Sequence, residues 1–275
     1  MKKPIAIQGI KGSFHHQVAQ QYFSINAEVV ECMSFDSAVD TLLQGDTDNI
    51  VMALENSIAG SIIPNYALID NYNLSIVGEY YLDIQHNFLA LTGQTIASIL
   101  EVHSHPMALL QCKDFFKNLP HIKLVEAEDT ADVAKQIAKQ GIKGIAAIAS
   151  KNAAELYGLN VLAESIQTIK HNETRFVIVK RKNDEIERKG LNKSSLKFEL
   201  NHKRGSLATI LNVVSDCKLN LTKIQSLPKI ETPWKYAFFV DVTFKDYKDY
   251  KKASSIIQLM AENYKVLGEY KNTRL

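Results

Sequence analysis

Four short stretches of this chain put polar side chains where alternating strands and helices would otherwise bury carbon. Gly12-Ser13-Phe14 stands between the apolar run PIAIQG and a segment whose apolar positions, Phe14, Val18 and Tyr22, recur every four residues. Ser13 suits the cap of that helix, and the free amides and positive dipole end of its first turn suit a carboxylate; both readings stay open. Glu55-Asn56-Ser57 closes the apolar run NIVMALEN, where three polar side chains either hydrogen-bond a substrate or form a turn. His103 to Cys112, HSHPMALLQC, carries two histidines that a strand would put on one face. No third metal ligand of suitable type is near in sequence, and a zinc site needs three or four. Cys112, among apolar helical neighbours, reads as a buried inert thiol. Asn172-Glu173-Thr174-Arg175-Phe176 leads into the strand FVIV, and an arginine beside a hydroxyl there either grips a carboxylate bidentately or sits in a surface ion pair. His15 and His16 read as partly exposed and neutral.

The elements that would hold these residues alternate over the first 180 positions. PIAIQG, VVEC, NIVMALEN, EVHSH, KLVEAE, GIAAIAS and FVIV read as strands. FDSAVDTLLQ with Gly45 behind it, NYALIDNY after Pro64, PMALLQCKDFFKNL, DTADVAKQIAKQG and KNAAELYG read as helices. A strand-rich stretch from Leu74 to Leu91 interrupts them, after which the alternation restarts. The pattern predicts mostly parallel sheets covered by helices, in two similar lobes, with ligands at the carboxyl ends of strands. The charge-dense segment KRKNDEIERKGLNK, from Lys180 to Lys193, reads as a linker. Beyond it SSLKFEL, GSLATILNVVSDC, NLTKIQSLPKI, YAFFVDVTF, YKKASSIIQLMAENY and KVLGEY give the order βαββαβ, a ferredoxin-like arrangement.

Composition narrows the class. The 275 residues are 46% hydrophobic and 23% charged, as in soluble globular proteins. A net charge of +2, from 32 basic and 30 acidic residues, gives no general pull toward nucleic acid or an anionic membrane. No apolar run reaches the roughly 18 residues of a membrane span. The opening MKKPIAIQGIKG reads as a first buried strand and not a leader, since Pro4 and Gln8 interrupt it. Cys32, Cys112 and Cys217 are widely spaced and odd in number, which points to free thiols in a reducing cytoplasm.

In order along the chain, Gly12-Ser13-Phe14, Glu55-Asn56-Ser57 with Gly60, Ser104-His105-Pro106 with Gln111-Cys112, Ala146 to Ser150 with Tyr157-Gly158-Leu159, and Thr174-Arg175-Phe176 resemble the motifs of the prephenate dehydratase family. The likeness spans nearly the whole chain. It implies an α/β fold: a bilobal catalytic domain like the type II periplasmic binding proteins, followed by a ferredoxin-like ACT domain. It places the catalytic domain at about 1–180, with lobes at about 1–80 plus 160–180 and 81–159, a linker at 181–193 and the ACT domain at 194–275. The reaction implied is loss of carbon dioxide and water from prephenate to give phenylpyruvate, in phenylalanine biosynthesis, with no metal or organic cofactor. The resemblance gives Thr174 as hydrogen-bond or proton donor to the leaving oxygen, with Asn56 and Gln111 as further catalytic donors. Arg175 and the amides near Ser13 would bind the substrate carboxylates, Ser57 would hydrogen-bond the substrate, and Phe176 would pack beside the ring and exclude water.

The carboxyl-terminal part resembles the phenylalanine-sensing ACT domain. Gly205-Ser206-Leu207 stands where the family has GAL, and Gln225-Ser226-Leu227-Pro228 where it has ESRP; Asn220 and Leu221 lie in the stretch leading to the latter. Those five residues, Gly205, Ser206, Leu207, Asn220 and Leu221, are the expected effector site for L-phenylalanine. The departure from ESRP removes two charges. A homodimer or homotetramer, formed through the ACT and catalytic domains, is implied. Arogenate dehydratase and a non-catalytic amino-acid-sensing binding protein are the competing readings.

Overall fold

Short apolar runs ended by glycine, serine or asparagine fold into strands, and the longer periodic segments between them into helices. The structure, a computed structural model, describes residues 3–182, 190–201, 203–228 and 235–274. The elements are β1 (Ile5–Gln8), α1 (Phe14–Tyr22), β2 (Val29–Cys32), α2 (Phe35–Gln44), β3 (Asn49–Asn56), β4 (Gly60–Ser61), α3 (Ile63–Asn71), β5 (Leu74–Asp83), β6 (Asn87–Ala90), β7 (Glu101–Ser104), α4 (Pro106–Gln111) and α5 (Lys113–Phe116). They continue with β8 (Lys123–Glu126), α6 (Thr130–Gln140), β9 (Ile145–Ala149), α7 (Lys151–Tyr157), β10 (Asn160–Ala163), β11 (Glu173–Arg181), β12 (Lys193–Glu199), α8 (Ser206–Asp216), β13 (Asn220–Pro228), β14 (Tyr236–Thr243), α9 (Tyr247–Met260) and β15 (Glu262–Tyr270). Two compact units result: Met1–Gly60 with Leu82–Phe176, and Ser61–Tyr81 with Val177–Leu275.

In the first unit β1 lies between β2 and β3 and runs parallel to both, with Ile5 opposite Val29 and Asn49; β11 begins on the far side of β3. Parallel neighbours need crossovers, which α1 and α2 supply. A second sheet has the order β10-β6-β9-β7-β8, with β7 parallel to β8 and β9 and β6 antiparallel to β9. Successive residues of β9 feed different cores. Ala146 and Ile148 pack with Phe88, Val102 and Phe116, and Ala147 and Ala149 pack with Leu89, Ala134 and Ile137. Burial on both faces explains the unbroken apolar run GIAAIAS. Helix ends follow local chemistry: Ser34 and Ser37 form a reciprocal capping box on α2, and Gly45 closes that helix at φ +83°, a conformation in which a Cβ is strained.

The helix expected over PMALLQCKDFFKNL is broken at Cys112 into α4 and α5. The Gln111 carbonyl leaves the helical ladder and accepts from Thr168 N at 2.8 Å, while Cys112 is fully enclosed in the core. His105 is not on the β7 face with His103; it caps α4, its Nδ1 accepting from Met107 N at 3.2 Å. His16 is buried, against the expectation of partial exposure, because its Nδ1 accepts from Gly12 N at 3.0 Å.

The second unit contains β12-α8-β13-β14-α9-β15 in the sheet order β13-β14-β12-β15, all three contacts antiparallel. This is the ferredoxin-like order expected. Leu196, Phe198, Ile210, Val214, Val240, Tyr250 and Ile257 form its core. α9 stops at Met260, four residues before the predicted end, because β15 already pairs with β12 at Glu262 and Glu199. Of the charged linker stretch, residues 183–189 lie outside the described residues, as do 229–230 of the predicted strand NLTKIQSLPKI. Lys193, expected to be solvated, opens β12 and is buried, because its Nζ lies 2.7 Å from Glu79 Oε2. Gly268 meets β5: a Cβ there would sit 2.1 Å from the Ile76 carbonyl oxygen.

Candidate active site

The first unit draws together three of the chemistry-bearing stretches. Asn56 ends β3, where the chain turns. Its Oδ1 accepts from the backbone amides of Ile58 at 2.9 Å and Ala59 at 2.8 Å. Backbone amides only donate, so the side-chain orientation is fixed and Nδ2 faces the other way. That nitrogen donates to Thr174 Oγ1 at 2.9 Å and to Asn172 Oδ1 at 2.7 Å. Thr174 is buried, and among the described residues nothing accepts its hydroxyl proton. Asn172, fully enclosed, donates through Nδ2 to Gln111 Oε1 at 2.9 Å. Gln111 Oε1 also lies 2.9 Å from His86 Nε2. Thr174, Asn56 and Gln111 are thus joined, with Asn172 as the link.

The flanking residues hold this cluster in place. Ser57 exchanges two hydrogen bonds with Glu173, its N donating to Glu173 O at 2.8 Å and its Oγ accepting from Glu173 N at 2.9 Å, which clamps the end of β3 to the start of β11. Ser13 caps α1, its Oγ accepting from His16 N at 3.2 Å. The Phe14 ring stands edge-on to His86 at 5.7 Å, and Phe176 stands edge-on to His15 at 5.0 Å. Along β11, successive side chains alternate faces. Thr174 and Phe176 therefore share a face, and Arg175, also buried, projects from the opposite one.

Burial sets the protonation states around the site. It lowers His15 from 6.5 to about 3, so this imidazole is neutral in ordinary buffers. Burial also lowers His86, opposed by its hydrogen bond to Gln111. Cys112 is raised to about 12 by burial, leaving a thiol and no nucleophile. His103 pairs with Glu101 at 2.8 Å, and among the described residues no group of three or more His, Cys, Asp or Glu could hold a metal ion. No helix among them is long and apolar enough to cross a membrane.

The expected effector residues lie in the second unit and separate into two groups. Gly205 caps α8 and Ser206 and Leu207 form its first turn. Ser206 and Leu207 line a cavity of about 150 Å³ with Leu200, Asn201, Lys203, Lys235, Tyr236 and Phe238. Asn220 and Leu221 open β13 and pair with Thr243 and Val242. One chain therefore has these groups at opposite ends of α8, an 11-residue helix and so roughly 17 Å long.

His86 and Asn172 are the site residues that sequence reasoning gave no role. His86 heads the four-residue strand β6; a polar residue before a short apolar run reads as an ordinary strand edge. Asn172 was visible only as a neighbour of Thr174.

The family model for prephenate dehydratase matches residues 5–184. Arogenate dehydratase/prephenate dehydratase 2, chloroplastic, of Arabidopsis thaliana is 37% identical over 86% of this chain, which spans 64% of that relative's length. The solved structure of GqqA, described as a novel type of quorum quenching acylase, superposes with TM-score 0.87 at 27% identity over 99% of both chains. Prephenate dehydratase from Arthrobacter aurescens in complex with L-Phe superposes with TM-score 0.87 at 25% identity, over 98% of this chain and 90% of that one. A family-model match over residues 5–184, with a relative 37% identical over 86% of the chain, makes this chain a member of the prephenate dehydratase family.

Proposed function

We propose that the chain converts prephenate to phenylpyruvate, carbon dioxide and water, and that Thr174 donates a hydrogen bond to the departing hydroxyl. The reading is carried by one observation: Asn56 occupies Thr174 Oγ1 as an acceptor, so the hydroxyl proton is left for a ligand. In the reaction the bond from ring carbon to carboxylate breaks. Its electron pair enters the ring, the ring becomes aromatic, and the carbon–oxygen bond on the far side releases hydroxide, which takes a proton to become water. A threonine hydroxyl is too weak an acid to be ionised, so its part is to stabilise charge growing on the leaving oxygen. Such assistance is typically worth about 10²–10⁴ in rate. Gln111 supplies further donors, Ser13 and Ser57 stand at the turns suited to the carboxylates, Arg175 adds positive charge from the other face of β11, and Phe176 keeps water from the ring.

Residues 1–180 form the catalytic part in this reading, with 181–193 as the link and 194–275 as an ACT domain binding L-phenylalanine at Gly205, Ser206 and Leu207 of one subunit and Asn220 and Leu221 of another. The two groups' separation within one chain supports a site completed in a dimer or tetramer. The location is cytoplasmic, in keeping with three free buried cysteines. The likeness to GqqA favours an acylase as the second reading. It requires an activated nucleophile, and both Ser13 and Ser57 already accept backbone amide protons.

The test is direct. Purified protein is mixed in parallel with prephenate, with arogenate and with an N-acyl substrate, and phenylpyruvate, phenylalanine and released acid are followed. The reading predicts phenylpyruvate with carbon dioxide from the first mixture. Turnover only of arogenate, or only of the acyl substrate, contradicts it.

A further inference from the structure

The hydrogen bonds around Thr174 have a direction, and one end of the chain sets it. We propose that His86 and Asn172 are positioning residues that carry this polarity to Gln111, gripping its oxygen so that it turns both of its amide N–H bonds toward the substrate. The inference deepens the function proposed above and rests on it for the identity of the substrate.

The polarity follows step by step. The amides of Ile58 and Ala59 hold Asn56 Oδ1, so Asn56 Nδ2 is the donor to Asn172 and Thr174. Asn172 Oδ1 is then an acceptor, and its Nδ2 must be the donor to Gln111. An amide oxygen cannot donate, so Gln111 meets Asn172 with Oε1, and His86 Nε2 beside the same oxygen carries the proton. Gln111 Oε1 has two donors on it, and among the described residues its Nε2 has no acceptor. A glutamine gripped twice through its oxygen cannot rotate without losing both bonds.

His86 shows the consequence on its other side. With one proton on a neutral ring already at Nε2, Nδ1 is left as a lone pair, and in the structure Nδ1 is buried with no partner. The residue is 4% exposed, and its ring stands edge-on to Phe14. An apolar side chain in its place would fill the space without leaving an unpaired nitrogen. The imidazole is explained by the proton it delivers to Gln111.

Tautomer and turnover test the inference separately. In protein labelled with ¹⁵N-histidine, long-range ¹H–¹⁵N NMR distinguishes Nε2–H from Nδ1–H, and the His86 signals are assigned by their absence in His86→Gln. The wild-type ring is expected to be Nε2-protonated. In Asn172→Asp both oxygens of the new carboxylate accept, so Gln111 must turn its Nε2 toward that carboxylate and His86. His86 then accepts at Nε2 and its proton moves to Nδ1. Gln111 now presents its oxygen to the substrate, and kcat falls by about 10² or more, the usual loss when a donor to transition-state charge is removed. A wild-type Nδ1–H tautomer, or an unchanged tautomer in folded Asn172→Asp, overturns the inference. If that variant does not fold, the wild-type spectrum decides. Failure of the wild type to convert prephenate, with the tautomer and its inversion as expected, sinks the assigned reaction and leaves the polarity standing.

Discussion

Asn56 decides what Thr174 can do. Its carbonyl is held by the turn amides and its amide by Thr174 and Asn172. Asn56→Asp keeps the turn but puts an acceptor in front of Thr174, which draws the hydroxyl proton away from the substrate. The expected result is a fall in kcat of about 10²–10³ with little change in melting temperature; a loss under tenfold in steady-state kinetics contradicts the assignment. His15 gives a pH prediction of definite sign. Its pKa is about 3 in the folded protein against 6.5 for the free side chain, so between those values the unfolded chain binds the extra proton. The contribution is fully present above pH 6.5 and declines as pH falls toward 3, at no more than about 1.4 kcal/mol per pH unit. Urea titrations of wild type and His15→Gln from pH 7 to 4 should converge as this slope is lost from the variant. At this scale the sequence revealed Asn56, Gln111 and Thr174 through their motifs, but not why they belong together. The bonds that join them span 116 and 61 residues, and such separations leave no periodic signal.

At the scale of elements, hydrophobic periodicity and end residues located most strands and helices, because capping by Ser13, Ser34, Asp129 and Ser150 is local chemistry. What escaped was decided by tertiary partners. The break at Cys112 depends on a bond from Thr168 to the Gln111 carbonyl, and the early end of α9 depends on pairing with β12. The same reasoning applies to β15 and β5, which approach so closely that Gly268 has no room for a methyl group. Gly268→Ala must push the Ile76 backbone away, and overpacking of this kind costs roughly 1–3 kcal/mol. Thermal unfolding should show a clear loss in melting temperature; a variant as stable as wild type contradicts the packing described for this strand pair.

Across the whole molecule, the two kinds of sequence pattern, repeated β/α alternation and a terminal βαββαβ, were legible because each follows from the side-chain period of its elements. The boundary was harder to place. A charge-dense stretch reads as solvated, yet Lys193 at its end is enclosed with Glu79, which lies 114 residues away. Removing one partner of a buried pair leaves the other charge uncompensated, typically at a cost of about 3–5 kcal/mol. Lys193→Met should therefore destabilise far more than the double change with Glu79→Leu, measured by denaturant midpoint; equal losses contradict the pairing. All of the proposed chemistry converges on a single oxygen–hydrogen bond, and the most direct measurement is kcat on prephenate for Thr174→Val beside Thr174→Ser, with folding checked by circular dichroism. The serine variant keeps the donor and should retain turnover within about tenfold, while the isosteric valine should lose about 10²–10³. A valine variant that folds and turns over prephenate at nearly the wild-type rate contradicts the role given to Thr174.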